Sequence, residues 1–136
     1  MKIWTDKDFD ELDFHDNIIY SIYFPEEEPT FKLRLDYILQ WKLNKKTNLY
    51  SFTVASAKLL FKGVYNLKLN LDFQNNVGIS IFSIVRENKR LSPNKTAYVW
   101  DYIIETDRGS ISFESSGFIL ELLNDPISGN SQKYGG

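Results

Sequence analysis

The sequence predicts a mainly β protein, built as a single antiparallel β-sandwich or partly closed barrel with at most one or two short helices near the termini. Apolar residues recur at every second position over long stretches, which is the period of a β-strand. The 136 residues are 43% hydrophobic and 15% aromatic, with only 7 Gly and 4 Pro. A chain of this length and composition buries enough surface for one core without disulfides or metals, so we expect one domain.

The clearest alternation runs from Phe31 to Trp41, where apolar and polar residues exchange places with Ile38 as the one exception. Residues 67–73 repeat the pattern. A strand with one apolar and one polar face is typical of an antiparallel sheet. Residues 98–104 are apolar on both faces, which predicts a strand that is covered on both sides.

Shorter β-rich segments fill the gaps between these strands. A break in the alternation at 55–57 predicts a bulge or bend. Residues 110–114 are expected to pair with 98–105 through the turn 106–109, where Gly109 supplies a positive φ. The remaining strand candidates are residues 18–24, 50–54, 58–64 and 78–85, the last of which is nearly apolar and expected to be buried.

Two segments carry helix signals. The run Thr5-Asp6-Lys7-Asp8 has the form of a capping box and predicts a single turn over residues 6–11. Residues 118–123 fit either one and a half helical turns or a final strand, and six residues are too few for periodicity to decide. We expect residues 1–126 to form the domain and the small, polar residues 127–136 to form a flexible tail.

Charge is divided unevenly along the chain. Residues 1–28 carry a net charge of -7, residues 29–100 a net charge of +9, and residues 101–136 a net charge of -4. These regions either lie side by side and compensate each other, or they form a bipolar surface that presents an acidic or a basic face to a partner of opposite charge.

The sequence lacks the residues that several classes of function require. The absence of Cys excludes disulfide scaffolds, thiol nucleophiles and iron–sulfur clusters, and a single His excludes a His-rich metal site. Neither glycine-rich phosphate motif is present, so no cofactor is expected. The start of the chain does not resemble a signal peptide and no apolar run approaches the length of a bilayer span. We therefore expect a soluble, cytoplasmic protein with no membrane contact, and the sequence specifies no oligomeric state.

An acidic cluster follows the first residues. The pattern Asp6-x-Asp8-x-Asp10 matches the first ligands of an EF-hand loop, but Glu11 and Asn17 stand where the motif needs Gly and Glu. A metal site is therefore not predicted, and contact with a partner protein is the alternative. The candidate partner-binding residues are Trp4, Asp6, Asp8, Asp10 and Glu11.

His15 and Asp16 form the only imidazole–carboxylate combination, with Asp13 nearby. Neighbouring side chains on a strand point to opposite faces, so an extended backbone here would keep His15 and Asp16 apart. No G-x-S-x-G serine is present to complete a catalytic triad. We expect His15 to be a half-buried structural residue that hydrogen-bonds to the backbone.

Six basic residues on neighbouring segments favour nucleic-acid binding, but two other observations argue against that function. The aromatic residues stand in the opposite register from these bases, and the pI of about 5.4 is low for a nucleic-acid-binding domain. Trp41 and Trp100 are expected to anchor the core, and Trp4 to lie nearer the surface. The six residues are Lys32, Arg34, Lys42, Lys58, Lys62 and Lys68.

The chain contains the run Phe14-His15-Asp16-Asn17-Ile18-Ile19-Tyr20, followed by Leu35-Asp36-Tyr37-Ile38-Leu39-Gln40-Trp41. These two runs resemble a pattern in a family of small, uncharacterised bacterial proteins. Leu60-Phe61-x-Gly63-Val64 and Ile111-Ser112-Phe113 extend the resemblance over about residues 4–115. The resemblance implies an all-β fold. The family has no assigned activity that could be carried over to this chain. At the level of class, small all-β chains of this kind are similar to the immunity partners of bacterial polymorphic toxins.

Three functional hypotheses remain. The leading one is a non-enzymatic protein-binding module, with an immunity-type protein that neutralises a toxin as one form of it. The alternative is a β-barrel that holds a small apolar ligand among its aromatic residues. The weakest is a hydrolase-like enzyme that uses His15 with Asp13 or Asp16.

Overall fold

The computed structural model describes residues 2–135, so Met1 and Gly136, the outermost residues of the predicted domain and tail, lie outside it. It is mainly β, with 61% strand and 4% helix, and forms one antiparallel sheet that is not closed. The predicted fold class is confirmed. The strands of the described residues are β1 (Ile3–Thr5), β2 (Ile18–Tyr23), β3 (Phe31–Asn44), β4 (Leu49–Lys62), β5 (Tyr65–Leu71), β6 (Ile79–Leu91), β7 (Tyr98–Thr106), β8 (Gly109–Ser115), β9 (Gly117–Leu122) and β10 (Ile127–Gly129).

The sheet has two parts that are joined by a narrow connection. Its order is β1-β9-β4-β3-β2-β6-β7-β8-β5, with β10 also paired to β4. We call β1-β9-β4-β3-β2 the first half-sheet and β6-β7-β8-β5 the second half-sheet. Only Ile18 and Ile19 of β2 pair with β6. The chain also crosses between the halves at the β8–β9 corner, where the buried hydroxyl of Ser115 donates to the carbonyl of Lys62 at 2.6 Å.

Aromatic side chains from both half-sheets fill the space between them. The ring of Phe61 on β4 lies 5.2 Å from Tyr102 on β7, 4.6 Å from Phe113 on β8 and 5.7 Å from Phe118 on β9, centroid to centroid. Phe31 reaches Phe113 across the same core at 5.5 Å. The Phe61–Phe118 pair is tilted and the other three are edge-to-face, which at these distances is a favourable arrangement for aromatic rings. The two halves therefore share one core.

The predicted break at residues 55–57 is wrong, because β4 runs through it without interruption. The irregularity lies in the partner strand, where β3 gains one residue between Ile38 and Gln40. The alternation fails on β4 for a different reason: Val54 to Ala57 are buried on both faces. A strand that is covered on both sides needs no polar face.

Two further predictions gave more burial than the structure shows. The apolar run 78–85 begins β6, but Phe82 and Val85 are exposed because they lie on the outer face, opposite to the buried Ile81. On β7, the inner Tyr102 is fully buried, whereas Val99 and Ile103 of the outer face are only half-buried. Both strands lie in the second half-sheet, whose outer face is not covered along these residues.

The structure decides three local predictions, which concern the capped turn, the segment 118–123 and the β7–β8 hairpin. A 3₁₀ helix spans Asp6–Glu11, and the Asp8 carboxylate accepts a hydrogen bond from the Thr5 amide at 2.9 Å, which confirms the capping box. The ambiguous segment 118–123 is mostly strand, because β9 pairs with the edge of β4. The β7–β8 hairpin is confirmed, with Gly109 at φ 132°. Within residues 2–135 no helix has the length and apolar character needed to cross a membrane.

Candidate functional site

The two segments that carry the family resemblance pack against each other at the junction of β2 and β3. The ring of Phe14 meets that of Tyr37 edge-on, with centroids 5.5 Å apart. The buried side chain of Asn17 accepts a hydrogen bond from the Ile38 amide at 3.3 Å through its Oδ1 atom. Residues about twenty positions apart in sequence therefore form one contiguous region. The hydrogen-bonded polar groups around Asp36 lie in this region.

A buried carboxylate, that of Asp36, lies on the outer face of the first half-sheet and is only 2% exposed. Its Oδ2 atom accepts hydrogen bonds from the Tyr20 hydroxyl at 2.7 Å and the Tyr134 amide at 2.9 Å, and its Oδ1 atom accepts one from the Ser56 hydroxyl at 3.3 Å. Arg34 in turn donates to the Ser56 oxygen at 3.2 Å. Three donors replace the water that a buried carboxylate loses.

The same contact perturbs Tyr20. Loss of water around its hydroxyl raises the pKa of the otherwise exposed Tyr20 to about 12, together with the hydrogen bond to Asp36 and the negative charge of that group, while the Arg34 charge acts in the opposite direction. The phenol therefore stays protonated and remains a donor to Asp36 at neutral pH. This cluster has a hydroxyl and a carboxylate but no imidazole bonded to either, so it resembles a structural network more than a catalytic set.

The C-terminal residues 127–135, which we call the strap, cross this outer face. Strand β10 pairs with β4, and the hydroxyls of Ser128 and Thr53 lie 2.9 Å apart. Further along, the side-chain amide of Gln132 donates a hydrogen bond to the Asp16 carboxylate at 3.3 Å, and the backbone amide of Tyr134 donates one to the Asp36 carboxylate. Part of the segment predicted to be a flexible tail is thus a strand with defined partners, and its flexibility stays a prediction.

Beyond the strap the β3–β4 hairpin continues as an arm, residues 39–51, whose strands pair only with each other among the described residues. Trp41 pairs with Phe52 and Leu43 with Tyr50, so these four side chains share one face of the hairpin. We call them the aromatic patch. Trp41, Leu43 and Tyr50 are 37%, 42% and 52% exposed. The Trp41 ring lies 5.0 Å from Phe52 and 6.3 Å from Tyr50.

The prediction that Trp41 anchors the core is therefore wrong. The extra residue between Ile38 and Gln40 moves the remainder of β3 out of the alternation that places Leu35 in the core. A one-residue slip of this kind sends side chains to the opposite face. Trp100 does pack on the core as a half-buried residue, with the Arg86 guanidinium 4.0 Å from its ring centroid.

His15 stands beside the aromatic patch. Its ring stacks on Trp41 with centroids 6.2 Å apart and an angle of 22° between planes. Its Nε2 atom lies 3.5 Å from Asp16 Oδ1, and its Nδ1 atom 3.0 Å from the carbonyl oxygen of Phe82. The direct contact with Asp16 is made because residue 16 lies in a turn at φ 63°, not in a strand. His15 is exposed where we expected a half-buried residue, and it does bond to the backbone as expected.

The acidic N-terminal residues are divided by the structure into two groups. Asp8 caps the 3₁₀ helix, and Asp6 packs against the β8–β9 corner while its carbonyl accepts from an arginine at 3.1 Å. Asp10 and Glu11 are at the surface, and no described hydrogen bond or ion pair engages their carboxylates. Trp4 is half-buried with its ring 5.6 Å from a core aromatic ring. Within residues 2–135, no three His, Asp or Glu side chains are grouped as metal ligands.

Sequence reasoning missed Asp36, Tyr20 and Tyr23. Asp36 occupies an outward position of an alternating strand, where an acid signals only solvent exposure, although the neighbouring apolar Ile38 on the same face hints at cover. Tyr20 and Tyr23 are exposed on the same outer face as Lys32 and Arg34, contrary to the expectation that the aromatic residues point away from the bases.

Comparison with family models, with curated proteins and with solved structures gives no match for this chain. Depressions lie beside Glu26, under the strap near Val54, and between Arg34 and Lys58, and all three open at the surface. Aromatic rings occupy the space between the half-sheets. The candidate functional region is therefore the outer surface of the first half-sheet and its arm.

Proposed function

We propose that this protein is a non-enzymatic protein-binding module and that the aromatic patch is its contact surface. The observation that carries the proposal is the joint exposure of Trp41, Leu43 and Tyr50 on one face of the arm. Apolar side chains that are exposed together mark interaction surfaces, and Trp and Tyr are enriched among the residues that dominate binding energy.

The arm presents this patch on a well-ordered support. The β3–β4 ladder is continuous from the pair Phe31–Phe61 in the core to the pair Asn44–Leu49 near the tip, apart from the single bulge. His15 stacks against Trp41 at the base of the patch. Because little of the surface must be ordered on association, more of the interaction energy contributes to affinity.

Charge on the arm indicates the kind of partner. Residues 39–51 contain Lys42, Lys45 and Lys46 and no acidic residue. All three lysines are exposed, and none forms an ion pair with any described residue. Complementarity favours a protein with an acidic rim around an apolar centre, and such a complex associates faster at low salt.

The alternatives receive less support. His15 engages Asp16 and a backbone carbonyl, and none of the described hydrogen bonds joins it to a hydroxyl that it could activate. The rings between the half-sheets occupy the volume that an apolar ligand would need. Asp10 and Glu11 remain as a second, smaller surface that would suit a basic partner.

The test compares two surfaces on one captured partner. Tagged protein is used to isolate partners from lysate of the source organism, and the partner is then purified and its affinity measured for four forms of this chain. They are the wild type, the double variant Trp41→Ser/Tyr50→Ser, the charge-reversed variant Asp10→Lys/Glu11→Lys, and the control Tyr65→Ser, which removes an exposed tyrosine from β5.

We expect the patch variant to weaken binding by about a hundredfold, because each aromatic contact residue of this kind contributes more than about 1 kcal/mol. The Tyr65→Ser control should bind as the wild type does. Loss of binding in the Asp10→Lys/Glu11→Lys variant, with the patch variant unaffected, would transfer the function to the acidic surface and refute this assignment. Equal loss in Tyr65→Ser would show that the capture is nonspecific.

An immunity-type protein is the finer form of this proposal, motivated by the fold class and the uneven charge. A protein that neutralises a toxin must cover it tightly, which an aromatic surface with a charged surround can do. Expression of the captured partner alone should then arrest growth, and coexpression with this chain should restore it. Growth that is unaffected by the partner alone would contradict the immunity role and leave the binding module in place.

A further inference from the structure

Three basic side chains meet on the outer face of the first half-sheet, on the far side of the strap from the aromatic patch. Arg34 on β3 pairs directly with Lys58 on β4, and Lys32 lies two residues from Arg34 on the same face. All three are half-buried. Like charges directly opposite each other across a sheet are destabilising, so this arrangement costs stability unless an anion compensates it.

The protein supplies only part of that compensation. Lys58 forms an ion pair with Glu121 at 3.4 Å, whereas neither Lys32 nor Arg34 forms one with any described residue. The Asp36 carboxylate is two residues away, but it already accepts from Tyr20, Ser56 and Tyr134. Those three donors are neutral, so Asp36 and Glu121 together set two negative charges against three positive charges and leave a local excess of one.

The surface between these cations is concave. Tyr23, Lys32, Arg34, Lys58 and Leu123 line a depression of about 170 Å³. The Lys32 ammonium lies 4.2 Å from the centroid of the Tyr23 ring, which holds the lysine over the depression. Arg34 has one described hydrogen bond, to the Ser56 hydroxyl, so most of its N–H groups are available for a ligand.

We propose that this depression binds a phosphate-type oxyanion, either free or as a phosphate monoester. A phosphate monoester carries a charge of about -1.5 to -2 at pH 7 and three strong acceptor oxygens, so it offers an acceptor to each of the three cations. Its oxygens suit the planar fork of Arg34, with Lys32 and Lys58 as flanking point charges. A carboxylate has only two oxygens, which the fork of Arg34 alone would occupy. The site is separate from the aromatic patch, so it stands whether or not the patch binds a protein.

The test is a titration followed by ¹H–¹⁵N NMR at constant ionic strength, with inorganic phosphate in one arm and a nucleoside monophosphate in the other. The variants are Arg34→Gln and Lys58→Gln, and the matched control is Lys68→Gln, an exposed lysine of β5 in the other half-sheet. The dispersion of each variant's spectrum reports whether it is folded, and two independent variants keep the test decisive if one is not.

We expect saturable shifts at amides around the depression, with binding about tenfold weaker in Arg34→Gln and Lys58→Gln and unchanged in Lys68→Gln. Tighter binding of the nucleotide than of phosphate would show that the exposed Tyr20 or Tyr23 ring contacts the base, and equal binding would identify the phosphate group alone as the ligand. Shifts that grow linearly without saturation, or that weaken equally in Lys68→Gln, would overturn the proposal.

Discussion

The Tyr20 hydroxyl donates a 2.7 Å hydrogen bond to the buried carboxylate of Asp36, and this contact joins strand β2 to the centre of the first half-sheet. The same carboxylate accepts from Ser56 on β4 and from the Tyr134 amide of the strap. One acidic group thereby connects four separate parts of the chain.

Replacement of Asp36 by Ala should lower the free energy of unfolding by about 3 kcal/mol, because it leaves three donors without their acceptor in a largely buried environment. Denaturant unfolding measures the change. Hydrogen exchange of the Tyr134 amide should accelerate in the same variant, since its acceptor is lost. The control is Asp125→Ala, at an exposed acid outside this network, which should change stability by less than about 0.5 kcal/mol. An Asp36→Ala midpoint equal to that of the wild type would contradict the assigned role.

Removal of the Tyr20 hydroxyl in Tyr20→Phe should cost about 1 kcal/mol at neutral pH. The pKa of this phenol is 10.0 in the unfolded reference and about 12 in the folded protein. Above pH 10 the unfolded chain releases the proton that the folded chain still holds, so the contribution of Tyr20 to stability is complete below pH 10 and falls between pH 10 and about 12. The difference in stability between wild type and Tyr20→Phe should shrink over that range. A difference that grows with pH would contradict this assignment.

The two halves of the acidic cluster should respond differently to truncation. Asp8→Ala removes the reciprocal contact to the Thr5 amide and should destabilise the protein by about 1 kcal/mol. Asp10→Ala, two residues further along the helix and exposed, should change stability by less than about 0.5 kcal/mol. Thermal or denaturant unfolding of the two variants in parallel provides the comparison. A loss below about 0.5 kcal/mol in both variants would mean that Asp8 is as dispensable to the fold as Asp10, and that the whole cluster is available to a partner.

Gly109 should not tolerate a side chain. Its φ is +132°, and a Cβ atom placed there would lie 2.0 Å from the Asn70 carbonyl oxygen on β5. Gly109→Ala should therefore destabilise the β7–β8 hairpin and its pairing with β5 by about 3 kcal/mol or more. The matched control is Gly129→Ala, where a Cβ atom would meet open space. A Gly109→Ala protein with an unchanged melting temperature would refute this account.

Much of the fold could be predicted because strand periodicity is a local property. The alternation in β3, the β7–β8 hairpin and the capped turn at Asp6–Glu11 each depend on neighbouring residues that the sequence shows directly. The errors arose where cover comes from distant segments. Val54 to Ala57 are buried on both faces, which no local pattern of β4 reveals.

The candidate site was harder to predict for the same reason. Trp41 has the spacing of a core residue, and the single inserted residue in β3 turns it outward. Asp36 has the spacing of a solvent-exposed residue, and donors from β2, β4 and the strap surround it. A bulge shifts every later side chain, and its position depends on pairing with the neighbouring strand, not on the residues of one strand alone.

The sequence by itself determined the class of the fold, because the alternation of apolar and polar residues requires strands with one buried face. It also determined that the N-terminal region is acidic and the middle of the chain basic. Only the tertiary structure decided which charges meet and which aromatic residues stay exposed. Lys32 and Arg34 of β3 face one depression with Lys58 of β4 because the register of the β3–β4 ladder places Arg34 opposite Lys58. Contacts between distant segments are set by that pairing, and the composition of each segment leaves it open.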